Sequence, residues 1–119
     1  MLKEFPRLRQ ENQGYRRLFE NEQFNLYIWY TVAGGEIQGF QLVYFAGDEQ
    51  KALTWTQTGG YSHNTVDGWD SSYFNQTPLL VADGQFAKAR ILAEMKADLL
   101  SLEPEISHLV LEKIQHYPI

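Results

Sequence analysis

The sequence contains no cysteine. This absence excludes a disulfide framework, a thiolate nucleophile and any cysteine-based zinc site. No apolar run approaches the roughly 18 residues of a membrane-spanning helix, and the opening MLKEFPRLRQ lacks the apolar core of a secretion signal. We therefore expect a soluble, cytoplasmic protein that is not associated with a membrane.

Basic residues are scarce and unevenly placed. The chain has 10 lysine and arginine residues against 15 aspartate and glutamate residues, a net charge of −5. Half of the basic residues fall within the first 17 positions, so the rest of the chain is strongly acidic. An acidic surface repels a phosphate backbone, and nucleic acid is therefore not an expected partner.

The 119 residues predict one domain, 1–119, with a β half followed by an α half. Aromatic and β-branched segments separated by turn residues indicate a four-stranded antiparallel meander. These segments are residues 15–20, 24–32, 36–46 and 51–57, and residues 79–82 favour a short extra strand. The fold class is therefore predicted to be α+β.

Gly34 and Gly35 suit a two-residue type I′ hairpin turn, in which both central residues need positive φ. This turn pairs Val32 with Ile37 and places two kinds of side chain on opposite faces of the sheet. One face is mostly aliphatic. The other is an aromatic face, formed by Tyr27, Trp29, Phe40, Leu42, Tyr44 and Trp55.

Two amphipathic helices are predicted to cover one face of this sheet. Asp83 suits the N-cap of the first helix, and Pro104 suits the first turn of the second. Apolar residues recur at spacings of three and four in both. They are Phe86, Ala89, Leu92, Met95, Leu99 and Leu102 in the first, and Ile106, Leu109, Val110, Ile114 and Tyr117 in the second.

Several segments together resemble a set of small bacterial proteins of unknown function. These are RRLF, FNLYIWY, GFQLVYF, ALTW, GGYSHNTVDGWD and TPLLVADGQF. The corresponding pattern of that set reads RRxF, FDLYVW, GFQLCYDK, ALTW, GxxHxRVDDG and TPILVPDG. Asn25 replaces an aspartate of the pattern, Thr65 replaces an arginine, and the DDG is shortened at Asp67-Gly68. The resemblance implies a shared fold and a bacterial source, but no activity.

Residues 58–78 show no periodicity and are predicted to form a long loop between the strands and the helices. A loop of this length is typically functional or conceals a missed element. His63, Asp67 and Asp70 could form a catalytic group, with the histidine as general base, or part of a metal site. No known catalytic or cofactor motif surrounds them, and we expect no cofactor. Alternatively, the loop is a packed cover, anchored by Tyr61, Trp69, Tyr73 and Phe74.

The aromatic face leaves two further alternatives open. A second copy of the chain could bury this face in a homodimer, since interface cores are rich in aromatic residues. A small molecule could bind between the loop and this face; its lining would be Tyr27, Trp29, Trp55, His63 and Asp67. The leading hypothesis is a non-enzymatic binding or protein-interaction domain. The alternative is a small metal-dependent or hydrolase-like enzyme centred on residues 58–78.

Overall fold

The computed structural model describes residues 2–6, 10, 14–46, 49–66, 80–82 and 86–117. It confirms the α+β class, with an antiparallel sheet followed by two C-terminal helices. The strands are β1 (Lys3–Glu4), β2 (Tyr15–Glu20), β3 (Phe24–Tyr30), β4 (Ile37–Ala46), β5 (Glu49–Thr56), β6 (Gly60–Val66) and β7 (Leu80–Ala82). Each strand pairs antiparallel with the next along the chain, so the sheet is a meander in the order β1 to β7.

The sheet has more strands than the four predicted. The added strand that matters most is β6, which occupies the first part of the expected long loop. It pairs with β5 through Leu53 opposite His63 and Trp55 opposite Tyr61. The expected strand near residues 79–82 is confirmed as β7. Between these two strands, residues 67–79 lie outside the described part of the chain.

The hairpin between β3 and β4 differs from the predicted type I′ turn. Thr31 N–H donates to Glu36 O at 3.0 Å, and Gly35 N–H donates to Val32 O at 2.8 Å, which makes a longer loop. Only Gly34 of the glycine pair has positive φ, at 77°. The pairing then shifts between Tyr30 opposite Ile37 and Trp29 opposite Gly39. This bulge changes the register of the rest of the hairpin.

The predicted aromatic face is consequently wrong. The observed register pairs Leu26 with Leu42 and Ile28 with Phe40, one residue away from the expected pairing. A slip of one residue moves a strand's side chains to the opposite face. Tyr27 and Trp29 therefore lie on one side of the sheet. The other members of the predicted face lie on the opposite side: Phe40, Leu42, Tyr44 and Trp55.

Both helices pack on the side of the sheet that carries Leu26, Ile28 and Phe40, called here the helix side. Helix α1 spans Lys88–Asp98 and continues into a 3-10 turn at Leu99–Ser101, and α2 spans Pro104–Gln115. Their fully buried side chains are Ile91, Met95, Ile106, Val110 and Ile114. Burial of each such side chain stabilises the fold by about 1.5–3 kcal/mol.

The predicted helix boundaries are partly right. Pro104 is at the start of α2 as expected, but α1 starts at Lys88, after a buried Phe86. Asp83, its expected N-cap, lies outside the described residues. Within the described part of the chain, neither helix is long and apolar enough to cross a bilayer.

The opposite, outer side of the sheet is mixed in polarity. Leu18, Val43 and Ala52 are buried there, and Gln41 is also buried, donating from its Nε2 to Thr54 Oγ1 at 3.1 Å. Tyr27 is half-buried, and burial raises the pKa of its hydroxyl. The described residues of the outer side therefore do not form the continuous aromatic face that the predicted homodimer required.

Candidate functional site

His63, the predicted general base, is placed by β6 on the helix side of the sheet, because it pairs with the core residue Leu53. Its side chain is buried, with 5% of its surface exposed. Its Nε2 lies 2.6 Å from the hydroxyl of Tyr44, and the two rings stack with centroids 5.9 Å apart. This nitrogen is thus engaged by a neighbour inside the fold.

Aromatic rings surround the imidazole. The ring of Phe86 lies 5.2 Å from it and that of Tyr117 lies 6.4 Å away, between ring centroids. Tyr61 completes the group, since its ring meets that of Tyr117 edge-on at 5.3 Å. We call Tyr44, Tyr61, His63, Phe86 and Tyr117 the His63 cluster. Such contacts between rings add to the stability gained from burial.

Polar contacts fasten the His63 cluster to the helices. The Tyr61 hydroxyl donates to the carbonyl oxygen of Lys113 at 2.7 Å, and Lys88 Nζ donates to the carbonyl oxygen of Tyr117 at 3.1 Å. The guanidinium of Arg90 lies 5.7 Å from the centre of the Tyr44 ring. These contacts fix the start of α1 and the end of α2 beside the histidine.

Of the other predicted site residues that the structure describes, two lie on the opposite side of the sheet from His63. Tyr27 and Trp29 lie on the outer side of the sheet, whereas Trp55 and His63 lie on the helix side. Asp67 and Asp70 fall outside the described residues. Across the parts of the chain that are described, no three histidine or carboxylate side chains come together in a way that could hold a metal ion.

A second polar group lies at the other end of α2, around Arg17 of β2. Its guanidinium donates to both carboxylate oxygens of Glu4, from Nε at 2.9 Å and Nη2 at 2.8 Å. It also donates to both oxygens of Glu103, from Nη1 at 3.1 Å and Nη2 at 3.2 Å, and to the Tyr30 hydroxyl at 3.3 Å. One side chain thereby joins β1, β2, β3 and the start of α2.

These contacts shift the acid–base behaviour of the group. The hydrogen bonds from Arg17 lower the pKa of the Glu4 carboxyl, and partial burial opposes that shift. The same bonds raise the pKa of Arg17 further above its ordinary value. Burial raises the pKa of the Tyr30 hydroxyl, and the hydrogen bond from Arg17 partly offsets the rise. Arg17 and Glu4 are therefore both charged at neutral pH.

An open cleft of about 390 Å³ lies above this group, and we call it the Arg17 cleft. The rings of Tyr15 and Tyr30 are tilted against each other in its wall, 6.1 Å apart. Three carboxylates and one guanidinium give the cleft a formal balance of −2. The lining comprises Glu4, Tyr15, Arg17, Tyr30, Ala33, Gly34, Gly35, Glu103 and Glu105.

At the edge of β2 beside this cleft, a side chain is hydrogen-bonded to the backbone of Arg16. The side-chain amide of Gln10 donates from Nε2 to the carbonyl oxygen of Arg16 at 2.8 Å. The N–H of Arg16 donates to Oε1 of the same amide at 2.9 Å. Neither bond is buried. A single side chain thus satisfies both backbone groups of Arg16.

Sequence reasoning missed the Arg17 cleft. Its residues come from β1, β2, the β3–β4 hairpin and the start of α2, and no local motif connects them. The one available signal is the alternation of Tyr15 and Arg17 on a predicted strand, which places both on one face. The pairing of β2 with β3, which sets Tyr15 opposite Tyr30, then completes the wall.

Comparison of the chain with protein-family models, with curated proteins and with solved structures gives no significant match. The resemblance to small bacterial proteins therefore stays a prediction.

Proposed function

We propose that this chain is a non-enzymatic binding domain whose partner is a protein, bound at the Arg17 cleft. The observation that carries the proposal is the difference in access between the two polar groups. His63 is buried and its Nε2 contacts Tyr44, whereas the Arg17 cleft is open. A general base must reach the proton that it removes, and the buried position of His63 opposes that role.

The composition of the cleft supports a protein partner. Tyrosine and arginine are enriched among the residues that contribute most to protein–protein binding. Tyr15, Tyr30 and Arg17 meet in this cleft, and Arg17 is held in place by two carboxylates before any partner arrives. A side chain held in this way loses little conformational entropy on binding.

A second copy of the chain is one form that the partner could take. The surface suggested for it by the sequence does not exist as a single face, because Phe40, Leu42 and Tyr44 lie beneath the helices. Native mass spectrometry of the purified, untreated protein reports the subunit count and any retained small molecule together. We expect a bare monomer, because the partner that we propose at the Arg17 cleft is a different protein; a bare dimer would instead identify the partner as a second copy of this chain.

The test of the proposal is selection of peptides from a random-sequence display library on the immobilised protein, followed by affinity measurements in solution. We expect selected peptides to bind the parent chain and to lose at least about tenfold in affinity for Tyr15→Ala. Tyr27→Ala is the matched control, because Tyr27 is also a half-buried tyrosine but lies on the outer side of the sheet. Peptides that bind Tyr15→Ala normally but not His63→Phe would move the site to the His63 cluster. Failure to select any peptide would contradict a protein partner.

A further inference from the structure

The pairing of β1 with β2 is short. Lys3 pairs with Glu20 and Glu4 with Phe19, and the N–H of Phe5 then donates to the carbonyl oxygen of Leu18 at 2.8 Å. Pro6 follows Phe5. The next residue of β2 whose backbone N–H and C=O point away from β3 is Arg16, two residues from Leu18. Both groups are hydrogen-bonded to the Gln10 side chain. Among the described residues, the partner of the Arg16 backbone at this edge is thus a side chain.

The two hydrogen bonds at Arg16 have the pattern of a pair of residues in an antiparallel sheet. In an antiparallel ladder, a residue of one strand exchanges both an N–H···O and an O···H–N bond with the residue opposite. The primary amide of Gln10 has the same N–H and C=O groups as a peptide bond, and it makes both bonds with Arg16 at 2.8 and 2.9 Å. Gln10 is therefore an internal substitute for a residue of an added strand.

We infer that the edge of β2 at Arg16 is a strand-addition site, at which an extended segment of a protein partner replaces the Gln10 side chain. An exposed sheet edge is a known template for an extended peptide, with main-chain bonds giving affinity and side-chain pockets giving selectivity. This inference rests on the proposed function and names its mode of binding.

The position of the Arg17 cleft sets the side-chain chemistry of that segment. Arg16 pairs with Trp29 and faces the outer side, whereas Tyr15 and Arg17 face the helix side. The residue opposite Arg16 therefore points outward, and its neighbours in the added strand point toward the cleft. Glu103 and Glu105 line that cleft together with two tyrosine rings. A lysine or arginine beside the residue that pairs with Arg16 fits this lining, since its stem packs on the rings and its charge meets the carboxylates.

The Gln10 side chain competes with the partner. Its two hydrogen bonds to Arg16 are exposed, so displacing them costs only a modest amount. Gln10→Ala removes the competitor, and we expect selected peptides to bind this variant roughly tenfold more tightly than the parent. Gln23→Ala is the matched control, because Gln23 is an exposed glutamine in the β2–β3 turn, away from Arg16. It should leave the affinity unchanged.

A pair of variants at Arg16 tests the backbone bond itself. Arg16→Pro removes the N–H that any added strand must use, and that N–H points away from β3, so the β2–β3 ladder keeps its bonds. Arg16→Ala removes the same charge but keeps the N–H. Fluorescence anisotropy with the selected peptides should show binding to Arg16→Ala and a loss of roughly tenfold for Arg16→Pro, since one backbone hydrogen bond to the peptide can no longer form.

The outcomes separate this inference from the proposed function. Peptides that bind both Arg16 variants equally, yet fail on Tyr15→Ala, would overturn strand addition and leave the Arg17 cleft as the binding site. Failure to select any peptide, either on the parent or on Gln10→Ala, would overturn both proposals.

Should Arg16→Pro fail to fold, amide hydrogen exchange in the Gln10→Ala variant decides the question. We expect the Arg16 amide to exchange faster than in the parent and to regain protection when a selected peptide is added. An Arg16 amide whose exchange the bound peptide does not change would overturn strand addition.

Discussion

The two ends of helix α2 face two polar groups that are built from similar residues but differ in access. At the C-terminal end, Tyr61 and Tyr117 enclose His63, and the hydroxyl of Tyr61 is bonded to the backbone of α2. At the N-terminal end, Tyr15 and Tyr30 stand beside Arg17, and Glu103 contributes a carboxylate. The histidine of the first group is buried in the fold, and the second group lines an open cleft.

Residue type alone therefore does not identify a functional site. A histidine in a glycine-rich and aspartate-rich stretch suggests catalysis. The structure instead packs the imidazole of His63 against the rings of Tyr44 and Phe86. An arginine with two carboxylates suggests a surface ion pair, but Arg17 keeps only 19% of its side chain exposed and forms the floor of a cleft. Variants at each end should therefore differ in effect between a packed end, around His63, and an open end, around Arg17.

The largest effect is expected at the packed end, from Phe86→Ala. Phe86 is buried and its ring contacts those of Tyr44, His63 and Tyr117. Its removal should lower the free energy of unfolding by about 3–5 kcal/mol, because a cavity replaces a close-packed ring. Urea denaturation measures the change. Leu100→Ala is the control, since Leu100 is 83% exposed and its loss should have little effect. A loss below about 1 kcal/mol for Phe86→Ala would mean that the packed end is not a core.

A smaller effect is expected from Tyr44→Phe, which removes only the hydroxyl 2.6 Å from His63 Nε2. Taking away one partner of a buried hydrogen bond should cost about 1–3 kcal/mol. The double variant Tyr44→Phe/His63→Phe should lose less than the sum of the two single variants, because it leaves neither polar group behind. Additive losses in urea denaturation would show that the hydroxyl and the imidazole do not interact.

The smallest effect is expected at the open end, from Arg17→Met. The ion pairs of Arg17 are partly exposed, so their loss should lower stability by about 1 kcal/mol at most. The effect should depend on pH. The pKa of Glu4 is lower in the folded chain than its ordinary value of 4.5, so its stabilising contribution is fully present above that pH and is lost as the pH falls below it.

Urea denaturation at a series of pH values measures this dependence. The parent chain should lose more stability than Arg17→Met between about pH 6 and about pH 3. Glu4→Gln should reproduce the flatter profile, since it removes the titrating carboxyl itself. Identical pH profiles for the parent and Arg17→Met would mean that the Arg17–Glu4 pair is absent in solution.

Much of the fold could be predicted from local sequence patterns. The spacing of Ile106, Val110 and Ile114 on α2 and the apolar alternation in β3 both depend on residues near one another in the chain, so they can be read directly. The register of β3 and β4 could not be predicted. It depends on the loop at Gly34 and on a bulge near Trp29, and the bulge has no local signature.

The site was harder to predict than the fold, for a related reason. The sequence of β6 predicts a loop because Gly60 and the polar residues of YSHNTV resemble turn composition, whereas pairing with β5 makes the segment a strand. The Arg17 cleft joins Glu4 to Glu103 across nearly the whole chain. Only tertiary packing brings those residues together, so neither spacing nor composition reveals them.

We propose that the open end of the molecule, and not the histidine end, binds a partner. The most direct test is to titrate a selected peptide into the ¹⁵N-labelled protein and to follow the backbone amide shifts by nuclear magnetic resonance. We expect the largest shifts at Tyr15, Arg16, Gly34 and Gly35, with His63 and Asn64 unchanged. Shifts concentrated at His63, Asn64 and Phe86 would contradict the account and make the packed end the binding site.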